Sequence, residues 1–211
     1  MQRGKEQHKA MAVICDGIGG LPRGEQASSY VVRQMANWFM SQGYRQKGKK
    51  QCRMVQQFLF QLHEEIKEYG NENGIQLGTT MIVVLVNNFE VYWFHCGDCR
   101  LYLFRNGKVK KLTGEHQDER GNLKRAIGVG PWRVLEKGKF RIRKKDKILM
   151  CSDGLYRNIS IEELRIWSAR VVKSDSQADR MLKQLFQKKI SLGEKDNISA
   201  LYFGYTDNEL R

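Results

Sequence analysis

Three aspartates carry the chemical interest of this sequence, and each adjoins an apolar run. Asp16 follows Ala12-Val13-Ile14-Cys15, Asp153 follows Ile148-Leu149-Met150-Cys151-Ser152, and Asp196 stands with Asn197 before Ile198-Ser199-Ala200-Leu201-Tyr202. A run of this composition bounded by turn residues reads as a buried strand, so each carboxylate sits at a strand end. Carboxylates delivered from separate parts of a chain make sense if they converge. Hard divalent cations such as Mg²⁺ or Mn²⁺ take oxygen ligands and retain several waters, and such a centre activates water and neutralises phosphate charge. Asp-Gly is also a common turn, and that plainer role stays open for each aspartate taken singly. Their shared context is what favours chemistry.

Glycines follow the first aspartate closely: Gly17, Gly19 and Gly20 let the backbone turn tightly and approach a ligand, and they expose the Gly17 carbonyl as a further oxygen donor. Cys96-Gly97-Asp98-Cys99 is a CxxC, the spacing of a redox pair or half a zinc site, but no second Cys or His pair completes four ligands. The five cysteines are odd in number, and Cys15 and Cys151 lie inside predicted strands, which does not describe a disulfide framework.

The elements that must position these residues follow from periodicity. Met11 to Cys15 is a strand, and Ala27, Val31, Met35, Trp38 and Phe39 recur at helical spacing between Gly24 and Gly43. Val55, Phe58, Leu59, Leu62 and Ile66 mark a second amphipathic helix over Gln51 to Tyr69. Thr79 to Val86 and Val91 to Cys96 flank an Asn87-Asn88 turn, and Arg100 to Arg105 and Lys108 to Leu112 flank Asn106-Gly107, so both pairs read as hairpins. Thr113 to Gly130 is polar and irregular, where function often resides. Val134 to Ile142 and Lys147 to Cys151 resume strands, Ile161 to Trp167 and Gln177 to Lys189 are helical, and Ser199 to Tyr205 is the closing strand. Hairpin-paired strands with helix pairs early and late argue for antiparallel sheets with helices packed outside.

At 211 residues the chain is read as one domain over 10–205, with a loose end at 1–9 and a tail at 206–211. The formal charge of +14 predicts attraction to anionic partners, but no nucleic-acid fold signature accompanies the basic clusters, so nucleic acid is not the expected partner. The longest apolar stretches fall far below the roughly 20 residues of a membrane span, and a cytoplasmic location is expected.

The sequence resembles the Mg²⁺/Mn²⁺-dependent serine/threonine protein phosphatases, the type 2C or PPM family, in their compact bacterial form. The motifs stand in family order: Asp16-Gly17-Ile18-Gly19-Gly20 with Gly24-Glu25-Gln26-Ala27-Ser28; Gly78-Thr79-Thr80; His95 to Tyr102; Leu112-Thr113-Gly114-Glu115-His116; Leu123 to Gly128; Cys151-Ser152-Asp153-Gly154-Leu155; and Asp196-Asn197-Ile198. Together they span nearly the whole chain. The resemblance implies an α+β fold, a four-layer α-β-β-α sandwich of mainly antiparallel sheets flanked by helix pairs.

It further implies two Mg²⁺ or Mn²⁺ ions per domain, with Asp16 bridging both, the Gly17 carbonyl on the second, and Asp153 and Asp196 completing the first. Asp98 is implied to be structural, bracing its turn with Arg100, and Cys99 takes the place of the usual serine. Members usually open with an Arg-x-x-Asn-Glu-Asp-like segment that supplies a phosphate-contacting arginine and an acidic ligand of the second metal; the sequence has no match to it ahead of Asp16, which leaves the second site the weaker one. Arg23, Lys124 and Arg125 are the candidates to replace that arginine. Glu115 stands where relatives place an aspartate that helps bind a third metal, and the flap that normally follows is nearly absent. The implied reaction is hydrolysis of phosphoserine or phosphothreonine in a protein by a metal-activated water, and the implied partners are a Ser/Thr kinase or its targets. The alternative is a weak or inactive phosphatase-like module that binds a phosphoprotein or a kinase.

Overall fold

In the computed structural model the described residues are 8–157, 159–170, 172 and 174–204. Their elements in chain order are β1 (Lys9–Gly17), α1 (Gly24–Ser41), α2 (Gly48–Glu72), β2 (Thr79–Asn87), β3 (Glu90–Cys96), β4 (Arg100–Arg105), β5 (Lys108–Lys111), β6 (Glu136–Arg141), β7 (Lys147–Cys151), α3 (Asp153–Tyr156), α4 (Ile161–Ser168), α5 (Asp175–Ser191) and β8 (Ala200–Gly204). They form two compact units: 8–96 with Arg125–Ile142, and Gly97–Lys124 with the described part of Arg143–Arg211.

In the first unit the strands lie in the order β1-β2-β3-β6, every neighbour antiparallel. Period-2 alternation sends Met81, Val83 and Leu85 of β2 to one face, where they meet Val31, Met35, Trp38 of α1 and Val55, Leu59, Leu62 of α2. The helical stripes read from the sequence are these buried faces, with Phe58 packed at the margin. Gly43 ends α1 for a reason other than backbone freedom: a Cβ there would sit 2.5 Å from the Trp38 ring. α2 runs past the expected end at Tyr69 to Glu72, and a Cβ at Gly70 within it would sit 2.7 Å from the Ile75 carbonyl oxygen. β6 forms the outer edge of the sheet, with Lys137, Lys139 and Arg141 exposed at alternate positions.

The second unit holds the strands in the order β5-β4-β7-β8, again antiparallel throughout. Asn106 and Gly107 both take positive φ, 52° and 71°, as a type I′ hairpin requires. Leu149, Cys151, Tyr102 and Phe104 pack with Leu164 and Trp167 of α4 and Met181 and Leu185 of α5. α4 begins with a capping box in which Ser160 and Glu163 satisfy each other's backbone N–H groups.

Of the end expected to be loose, 1–7 lies outside the described residues, while His8 exchanges hydrogen bonds with Asn88 at the β2–β3 turn and Lys9 starts β1. The tail at 206–211, and Tyr205 of the expected last strand, lie outside the described residues. All five cysteines are free thiols, and burial pushes those of Cys96 and Cys151 up to about 12. Thiols held protonated in this way are poor nucleophiles.

Two buried polar groups on α2, Gln51 and His63, escape helical periodicity. His63 is 1% exposed, lies edge-on to Trp132, and accepts the Gly128 N–H on Nδ1 at 3.0 Å. Burial lowers its pKa, reinforced by Lys67 and opposed by Glu64. Accepting that bond requires the neutral ring, so the folded state binds fewer protons here than the unfolded state. The stabilisation is therefore present above the ordinary histidine pKa and is lost as pH falls from there through the lowered folded-state value. Urea denaturation between pH 7.5 and 5 is expected to show a steeper loss of stability in the wild type than in His63→Asn; identical slopes would refute the assignment.

Candidate active site

Asp16 lies one residue from the end of β1, opposite Thr80. Its carbonyl accepts hydrogen bonds from the hydroxyls of Thr79, at 2.8 Å, and Thr80, at 3.3 Å. The chain then turns under the start of α1, with the Ile18 N–H bonded to the Gly78 carbonyl at 3.1 Å. The turn exists only because Gly17 lacks a side chain: a Cβ would lie 2.4 Å from the Gly24 carbonyl carbon. The Gly78-Thr79-Thr80 motif thus anchors the Asp16 turn. It also anchors the 123–128 segment, since Thr79 and Ile127 exchange backbone hydrogen bonds at 3.0 and 2.9 Å. The Asp16 carboxylate adds to burial in raising the Cys15 thiol pKa.

In the second unit Asp153 opens α3, and Asp196 belongs to the loop before β8. Two backbone devices bring them together. Gly154 presses against that loop so closely that a Cβ would lie 2.5 Å from the Asn197 carbonyl oxygen and 3.5 Å from the Asp196 Cβ. Ser152 ties the same segments, donating its hydroxyl to Asn197 O at 3.3 Å and accepting from the Ser199 N–H at 3.1 Å. The loop is shaped by Glu194, whose carboxylate accepts the N–H groups of Lys195 and Asp196, both at 3.0 Å; the Asp196 bond is the largest cause of the lowered Glu194 pKa.

The two carboxylates share one cation. Arg157 pairs with Asp153 Oδ2 through Nη2 and with Asp196 Oδ2 through Nη1, the latter at 3.4 Å. The other oxygen of Asp153, Oδ1, is buried without a hydrogen-bond partner. A carboxylate oxygen so placed needs a positive ligand, and two carboxylates side by side are the donor set of a hard divalent ion. The residues present therefore fit Mg²⁺ or Mn²⁺.

The remaining motif residues have local partners. Glu115 forms ion pairs with Arg100, at 3.0 Å, and with Lys111. Asp98 accepts from Gln117 Nε2 at 2.7 Å, in keeping with a structural role. Arg100 lies 3.5 Å above the Tyr156 ring. His116 accepts the Gly97 N–H on Nδ1 at 3.1 Å.

The family model for protein phosphatase 2C matches residues 2–192 of the 211. The chain belongs to the protein phosphatase 2C family. Among its relatives, the serine/threonine phosphatase stp of Listeria monocytogenes is 23% identical over 93% of this chain and 84% of its own. The crystal structure of serine/threonine phosphatase Stp1 from Staphylococcus aureus superposes with a TM-score of 0.84 at 20% identity, covering 93% of this chain and 84% of that one. PppA of Pseudomonas aeruginosa, described as a key regulatory component of T6SS, gives 0.79 at 21% identity over 93% and 96%. These likenesses show the fold, the α+β arrangement of antiparallel sheets flanked by helices that the sequence leads one to expect.

For a phosphatase 2C chain, the structure joins Asp153 to Asp196 in one unit and sets Asp16 and Gly17 at the β1 turn of the other. Arg157, which touches both carboxylates, carries no signal in the motif reading. Neither does Lys189, whose Nζ donates to the Arg157 carbonyl from a position on α5 that is 1% exposed. Of the three basic residues that could replace the missing arginine, Arg23 donates to Tyr69 Oη at 2.8 Å and Arg125 to the Val134 carbonyl at 3.4 Å, both at exposed positions.

The contact at Gly154 can be tested directly. Gly154→Ala must push α3 away from the Asn197 backbone and separate the two carboxylates. Isothermal titration with Mn²⁺ is expected to show affinity reduced by about 10- to 100-fold, the usual range for disturbed support of metal ligands. Unchanged affinity would mean that the close contact does not set the pair's geometry.

Proposed function

We propose that this phosphatase 2C chain hydrolyses phosphoserine and phosphothreonine in proteins, using two Mg²⁺ or Mn²⁺ ions per domain. It is a phosphoprotein phosphatase by family, and the observation that carries the metal reading is the carboxylate pair of Asp153 and Asp196, one oxygen of it buried and unpartnered. In this reading Asp153 and Asp196 would supply ligands to the first ion, Asp16 would be the ligand the two ions share, and the Gly17 carbonyl would serve the second. When bound, the ions activate water and neutralise the charge of the phosphate.

The chain's own residues do the positioning. Thr79 and Thr80 fix the Asp16 backbone, Gly17 and Gly24 set how tightly the turn closes, and Ser152 and Gly154 hold α3 against the 196–197 loop. Each acts before substrate arrives, so the ligands need little reorganisation when the ions bind. Glu115, paired with Arg100 and Lys111, would have to give up those ion pairs to serve as a ligand of a third ion.

The excess of 37 Lys+Arg over 23 Asp+Glu favours acidic phosphoprotein segments as substrates, with a Ser/Thr kinase or its targets as the source. Five free thiols fit a reducing, cytoplasmic setting, and no helix among the described residues is long and apolar enough to cross a membrane.

Phosphate release from a phosphothreonine peptide with Mn²⁺ tests the proposal. Activity is expected in the wild type, is expected to vanish with EDTA and return with Mn²⁺, and should fall by about 100-fold or more in Asp153→Asn, in line with the loss of a ligand to an ion that stabilises transition-state charge. Release that is equal in the variant, or indifferent to EDTA, would sink it.

A further inference from the structure

Arg157 is held at the carboxylate pair by more than its own charge. Its backbone N–H donates to the Asp153 carbonyl at 2.9 Å, and its carbonyl accepts from the buried Lys189. A lysine 1% exposed is uncommon, because an ammonium group leaves water only at considerable cost without partners. Here the burial fixes the backbone of the residue whose guanidinium faces Asp153 and Asp196. The Arg157 side chain itself is 52% exposed, against 9% for that of Asp153. It can therefore swing into solvent without opening the core, while the aspartate cannot follow it.

We propose that Arg157 is the resident counter-ion of the first metal site: its guanidinium and the divalent ion compete for the carboxylates of Asp153 and Asp196, and the metal binds by displacing the arginine. This rests on the assignment of those aspartates as metal ligands. An acidic pair without a cation repels itself, and a nearly buried carboxylate such as Asp153 feels that most strongly. Arg157 removes the repulsion, holds the two carboxylates at one place and so keeps the site assembled. The same attraction must be surrendered when the ion enters, and the displaced positive charge stays tethered close by through the Lys189 bond. Both effects weaken metal affinity relative to a chain with a neutral residue at this position. Sensitivity to metal concentration is then a property of residue 157, separate from the ligands themselves.

The test is Mn²⁺ binding to the full chain, followed by the loss of the free-ion electron paramagnetic resonance signal, which requires no turnover. Wild type, Arg157→Gln, Arg157→Lys and Asp153→Asn are compared, with circular dichroism as a check on folding. Arg157→Gln keeps the backbone carbonyl that Lys189 holds and is expected to bind Mn²⁺ at least about fivefold more tightly than wild type, a coupling in the range found for linked sites. Arg157→Lys keeps the charge but not the fork that reaches both carboxylates, and is expected to bind Mn²⁺ with an affinity between those of wild type and Arg157→Gln. Affinity that is unchanged or weaker in Arg157→Gln, with Asp153→Asn still losing binding, would overturn the exchange and leave the metal assignment standing. Equal binding by wild type and Asp153→Asn, or no binding by any variant, would overturn both. Should Arg157→Gln fail to fold, Arg157→Ala takes its place with the same expectation.

Discussion

Backbone meeting backbone, with no side chain between, is the constraint on which both units rest. At the β1 turn Gly17 packs on Gly24, and at the start of α3 Gly154 packs on Asn197; a Cβ at either would fall within 2.5 Å of the opposing chain. These contacts bring a strand-end carboxylate up to a second segment that no ordinary side-chain packing would allow so near. Strand register does the rest. Asp16 faces Thr80 across β1 and β2, so the hydroxyls of the Gly78-Thr79-Thr80 motif fall on the Asp16 carbonyl. The glycines in the motifs are thus distance setters as much as turn formers.

Much of this fold was legible in the chain because local periodicity and tertiary burial agree. Ala27, Val31, Met35, Trp38 and Phe39 were marked by spacing and form the buried face of α1; Asn106-Gly107 was marked as a hairpin and adopts the backbone that pair favours. What stayed hidden is polar. His63, Gln51 and Lys189 are buried on helix faces where periodicity predicts apolar residues. Each is held there by specific hydrogen bonds: His63 by the Gly128 N–H, Gln51 by the Gly43 carbonyl and the Asn87 amide, Lys189 by the Arg157 carbonyl. Such bonds join distant positions and leave no trace in a local pattern. α3 escaped for another reason, since four residues are too few to show a helical period.

The candidate site divides in the same way. Asp153 and Asp196 were marked by local context and do lie at one cation, whereas Arg157, in an unremarkable turn, shows its importance only through its contacts. Motif logic finds what resembles other chains. A residue outside the motifs must be found from what it touches.

The outer edge of β6 bears on how the protein behaves in a crowded solution. An unpaired strand edge is a template for a neighbouring chain's strand, and a protein kept at high concentration has to blunt it. Lys137, Lys139 and Arg141 stand exposed at every second position along that strand. Two such edges brought together would align like charges along the strand, which opposes the addition of one copy's sheet to another's.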